Sequence, residues 1–103
     1  MKYLITESQR EKLVFKYLDN QDFIKIKKYD SLIDFVNSEG DVHAQISYDK
    51  SDGCCLIYHN LIEEISSFFS LQHSDSEKVI GKWVENTLQM KVIDIYPDNN
   101  YIG

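Results

Sequence analysis

Near the start of the chain, Leu13, Val14, Tyr17 and Leu18 recur at helical spacing behind the polar run Thr6-Glu7-Ser8-Gln9. That spacing predicts an amphipathic helix. Thr6 and Gln9 form a capping-box pattern, in which the Gln9 amide donates to the threonine hydroxyl and the Gln9 side chain accepts from the Thr6 amide. Glu7 suits the positive end of the helix dipole, and Asp19-Asn20 stops the run. Past that point the pattern turns strand-like. Asp22 to Tyr29 and Leu32 to Asn37 read as two strands joined at Asp30-Ser31. The run Leu32-Ile33-Asp34-Phe35-Val36 is apolar enough for a strand buried on both sides or for a short helical turn.

The clearest local signal is a hairpin. Val42 to Tyr48 and Cys54 to His59 flank Asp49-Lys50-Ser51-Asp52-Gly53, and Asp-Gly between apolar runs closes hairpins through turn geometry that Gly alone adopts freely. Side chains alternate along a strand, so parity predicts the register. With Ile46 facing Leu56, one face collects Ala44, Ile46, Tyr48, Cys54, Leu56 and Tyr58. The other collects His43, Gln45, Ser47, Cys55, Ile57 and His59. An apolar face then opposes a mixed one, as in a sheet covered on one side.

After the hairpin, Asn60 can cap a helix from Leu61 to Leu71, with Glu63 and Glu64 in its first turn. Leu61, Ile65, Phe68 and Phe69 make its apolar stripe, flanked by Ile62. Ser74 or Asp75 then caps a second helix reaching about Met90. Val79, Ile80, Trp83, Val84, Thr87 and Leu88 line one face of it, against Lys78, Lys82, Glu85 and Gln89. Gly81 interrupts that helix at a cost of about 1 kcal/mol against Ala, which suits a close approach or simple tolerance. Val92 to Tyr96 is a last strand, closed by Pro97. The fold class expected is α+β in a single domain, residues 1–103: a capped helix, an antiparallel four-stranded meander, two helices and a final short strand. Helices covering one sheet face would bury Ile46, Leu56 and Trp83.

Composition supports a folded globule, with 43% hydrophobic and 13% aromatic residues. No run is long and apolar enough for a membrane span, and Met1 to Thr6 is too short and too soon charged for a secretory signal. A formal charge of −6 argues against general nucleic-acid binding, which draws on basic surface. The exception, Lys25, Lys27 and Lys28 among Phe23, Ile24 and Ile26, suits an edge strand guarded against aggregation. The expected location is cytoplasmic.

Candidate chemistry is sparse. The parity above sets His43 opposite His59 with Cys55 on the same face, and two imidazoles with a thiolate suit zinc. The spacing of common zinc sites is missing and no carboxylate stands close in sequence, so a cross-strand polar pair is the default reading. Neither a metal nor a cofactor is expected. Vicinal Cys54 and Cys55 point to opposite faces and read as two reduced thiols, with Cys54 in the core. No nucleophile, base and orienting group fall together, so an enzyme is not expected. Tyr29, Trp83, Tyr96 and Tyr101 are candidate protein-contact residues, although the stripe spacing puts Trp83 in the core.

Tyr3-Leu4-Ile5-Thr6-Glu7-Ser8-Gln9, and later Ile80-Gly81-Lys82-Trp83-Val84-Glu85-Asn86, resemble segments of small proteins encoded by tailed phages, marine ones in particular. The resemblance implies a small viral protein in the infected cell or virion and transfers no catalytic residue. The expected function is a non-enzymatic protein-binding or regulatory accessory protein, phage-encoded and host-modulating. The alternative is a virion or assembly component acting as an oligomer. A protein partner or self-association follows from either.

Overall fold

A computed structural model of the chain describes residues 7–27, 30–36 and 44–98. Three helices and five strands follow in the order α1 (Glu7–Asp19), β1 (Ile24–Lys27), β2 (Leu32–Val36), β3 (Ala44–Asp49), β4 (Cys54–Tyr58), α2 (His59–Phe69), α3 (His73–Leu88) and β5 (Asp94–Asp98). The class is α+β. The strands form one sheet in the order β1-β2-β3-β4-β5.

Neighbours from β1 to β4 pair antiparallel, so the expected meander is present. The sheet extends beyond it, because β5 joins β4 in parallel and makes the sheet mixed. A parallel neighbour needs a crossover, and α2 with α3 supplies it. The incoming chain is caught by the hairpin turn. The Gly53 carbonyl accepts the amides of Ile93 at 2.8 Å and Asp94 at 3.3 Å. Gly53 sits at φ +73°, and a Cβ there would press on the Ile93 side chain at 2.8 Å. Glycine therefore meets two demands at once, a left-handed turn and a close neighbour. Pro97 falls inside β5 rather than after it, which an edge strand tolerates because one of its sides makes no ladder.

The hairpin register differs from the parity reading by one residue. Ile46 pairs with Ile57, Ser47 with Leu56, Tyr48 with Cys55 and Asp49 with Cys54. The turn thus holds Lys50 to Gly53, and Asp49 stays in the ladder. Its Oδ1 accepts the Ser51 amide at 3.0 Å while its carbonyl accepts the Gly53 amide at 2.9 Å. A one-residue slip moves every side chain of β4 to the other face. Cys55 and Ile57 therefore lie in the core, whereas Leu56 is 40% exposed and Cys54 turns outward with it.

The core forms between one face of the sheet and the three helices. Phe35, Ile46, Tyr48, Cys55 and Ile57 meet Val14, Leu18, Leu61, Ile62, Ile65, Ile80, Trp83 and Val84. Of the group expected beneath the helices, Ile46 and Trp83 are there and Leu56 is not. Helix α2 begins at His59, with Tyr58 as a cap residue that makes no side-chain cap bond, so Asn60 lies inside the helix. Its buried positions are Leu61, Ile62, Ile65 and Ser66, and Phe68 is 68% exposed. Helix α3 likewise starts early, at His73, without a side-chain cap, leaving Asp75 in its first turn. Ser66 and Ser76 share a buried hydroxyl hydrogen bond of 2.7 Å where α2 meets α3. Gly81 faces Ile95 of β5 so closely that an added Cβ would collide with that side chain. The expected capping box needs Thr6, which lies outside the described residues.

Candidate functional site

Of the residues singled out for metal chemistry, the two that are described stand in different settings. Cys55 is fully buried in the core. His59 is the first residue of α2, where its Nε2 lies 2.8 Å from Glu63 Oε1. Its ring meets that of His73 edge-on at a centroid separation of 5.8 Å. His43 lies outside the described residues. Among those described, no three His, Cys, Asp or Glu side chains are placed to hold a metal ion.

Neither thiol is poised for attack. Burial pushes the Cys55 thiol up to about 12, with a smaller push from Cys54, and burial also raises Cys54. A nucleophilic cysteine needs the opposite, a stabilised thiolate. The shift has a consequence for stability. An ordinary thiol ionises near ~8.5, so the folded value is the higher one and the stabilisation is complete below that pH. It is lost as pH climbs from there toward 12. Urea melts at pH 7.5, 8.5, 9.5 and 10 should show stability falling by up to about 1.4 kcal/mol per pH unit above ~8.5. Cys55→Ala should remove the larger part of that slope, and an unchanged slope would refute the assignment.

On the helical side, a groove of about 670 Å³ runs between α1 and the end of α3, bordered by Glu11, Phe15, Lys82, Glu85 and Met90. Lys82 Nζ and Glu11 Oε2 pair across it at 3.1 Å. That contact ties α1 to α3 and leaves both charges matched.

The sheet's other face has a different character. Pairing places Ile26, Asp34, Ser47, Leu56 and Tyr96 side by side, one from each strand. At a strand spacing of ~4.8 Å the row is roughly 19 Å long. None of the three described helices covers this face: every sheet residue of the core cluster has the opposite parity. Its ends are apolar and accessible, with Ile26 46%, Leu56 40% and Tyr96 49% exposed, and Ile24 adds to the β1 end. The middle is polar and closed. Asp34 is buried, and its Oδ1 accepts the Ser47 hydroxyl at 2.8 Å.

Of the tyrosines and tryptophan singled out from sequence, Tyr96 belongs to this row. Trp83 is in the core, 4% exposed, packed on Phe23 and Phe35, with its indole N–H donated to Asp19 at 2.9 Å. Tyr29 and Tyr101 lie outside the described residues. Ile26, Asp34, Ser47 and Leu56 were not singled out. The signal for Asp34 was its place as the one charge inside Leu32-Ile33-Asp34-Phe35-Val36, which marks a strand with two unlike faces. No family model, curated protein or solved structure matches the chain.

Proposed function

We propose that the chain is a non-enzymatic protein-binding module that docks its partner on the open face of the sheet. The observation that carries this reading is the Ile26–Asp34–Ser47–Leu56–Tyr96 row, with large apolar side chains left accessible at both ends. Single exposed apolar residues are ordinary on a protein surface, whereas here Leu56 and Tyr96 are paired neighbours and Ile24 and Ile26 share β1, so accessible apolar side chains gather in two groups on one face. Tyr96 suits the role of anchor, since a tyrosine offers a large rigid ring and a hydroxyl that stays wet.

The double variant Leu56→Ser, Tyr96→Ser tests the reading. Both positions are accessible, so the variant should keep its fold with a stability loss of about 1 kcal/mol per site or less. Immobilised wild-type chain should retain a protein from lysate of its native cell that the variant releases. Equal retention by the two, with the fold intact by circular dichroism, would exclude the open face as the docking surface.

A further inference from the structure

We propose that the open face receives a basic amphipathic helix of a partner protein, laid across the strands along the row from Ile26 to Tyr96. The inference rests on the docking reading above and adds the chemistry of the partner.

Charge comes first. Pairing puts Asp34, Asp49 and Asp94 on the open face, and the described strand residues of that face include no lysine, arginine or histidine. The basic side chains of the described residues stand elsewhere: on α1, on α3, in the hairpin turn, in the loop after α3, and at Lys25 and Lys27 on the other face of β1. Within a chain of formal charge −6, the described cations thus stand off the sheet face that no described helix covers. Positive side chains approaching that face gain from its potential, whereas a second copy presenting the same face sets carboxylate against carboxylate.

Geometry selects a helix. Strand addition would need a free sheet edge, and both edges resist it. The β1 edge displays Lys25 and Lys27, and the β5 edge contains Pro97, which has no N–H to donate. A helix needs no edge. It packs on a sheet face through a stripe of side chains, as α2 and α3 already do on the opposite face. A row of roughly 19 Å matches about 13 helical residues at 1.5 Å each. Leucine-sized side chains would sit on Ile26, Leu56 and the Tyr96 ring, with lysine or arginine reaching Asp49 and Asp94. The tyrosine face also attracts a cation directly.

Three synthetic 14-residue helical peptides test this, sharing one leucine stripe and carrying lysine, glutamine or glutamate at the polar positions. Each is titrated into the full ¹⁵N-labelled chain while amide shifts are followed. The lysine peptide should shift Ile26, Ser47, Leu56 and Tyr96 and bind about tenfold more tightly than the glutamate peptide at low salt, a gap that narrows at high salt. Asp94→Lys should weaken the lysine peptide and strengthen the glutamate one, and Leu56→Ser should weaken all three. Equal affinity for the three peptides on this face would overturn the charge inference and leave the docking reading standing. Shifts at the same residues that grow with protein concentration and no peptide would name a second copy as the occupant and overturn it too. Shifts confined to the helical layer, or none with any peptide, would overturn the inference together with the open-face reading.

Discussion

Trp83→Ala should lower the folding free energy by about 3–5 kcal/mol, as expected for deleting a large buried aromatic side chain. The ring is 4% exposed and touches two others, Phe23 at a centroid distance of 5.8 Å and Phe35 at 5.3 Å. Phe35 and Phe23 also meet edge to face at 6.3 Å, so one truncation opens a cavity that the rest of the trio borders. Domains of this size are stable by about 5–15 kcal/mol, so the loss takes a large share. Trp83→Phe separates packing from the hydrogen bond. It keeps most of the ring and surrenders only the N–H donated to Asp19, whose side chain is exposed and can turn to water. Its cost should stay near 1 kcal/mol. Urea melts followed by far-ultraviolet circular dichroism measure both, since the tryptophan signal is lost with the mutation. Equal costs for the two variants would mean that the bond, not the packing, holds the trio in place.

Ile57→Ala should cost about 2–5 kcal/mol while its neighbour Leu56→Ala costs about 1 kcal/mol or less. The contrast follows from register alone. Ile57 is fully buried opposite Ile46, and Leu56 stands on the open face opposite Ser47. A hairpin slipped by one residue would reverse the order of the two costs. Denaturant midpoints of the two variants under identical conditions decide it, and a larger loss for Leu56→Ala would show that the strand is paired the other way.

That slip also shows where sequence reading ended. The order of elements was legible, because helical spacing at Val14, Tyr17 and Leu18 and again at Ile80, Trp83 and Val84 contrasts with short strand-like runs between turn residues. The face of β4 was not. Cys54, Cys55, Leu56, Ile57 and Tyr58 are all apolar, so the strand carries no alternation of its own. Its parity comes from the turn, where the Asp49 side chain bonds to Ser51 and shortens the loop. Where α2 begins was equally hidden. The helix starts directly after Tyr58 with no side-chain cap, so the polar residue Asn60 was a false marker. The last strand was expected, but its parallel place beside β4 was hidden for another reason. The Gly53 carbonyl, the Glu85 carboxylate on the Val92 amide and the Tyr48 hydroxyl on the Lys91 carbonyl all hold the incoming segment through its backbone, and no side-chain pattern in that segment records such bonds. The candidate site suffered from both gaps, since its row needs the correct β4 parity and the place of β5 beside β4.

The capture of Ile93 and Asp94 by Gly53 has one more consequence. β5 is the only strand of the row that reaches the sheet through a two-helix excursion, so its pairing must await the closure of a long loop. As a parallel edge strand held on one side, it is the natural unit to detach first when the molecule opens locally. Tyr96 leaves with it. A partner spanning the row would therefore act as a fastener for β5, and its binding should appear as slower hydrogen exchange at Asp94 to Tyr96. The same linkage would run in reverse: loosening the Gly53 catch should weaken the grip of any partner that spans the row.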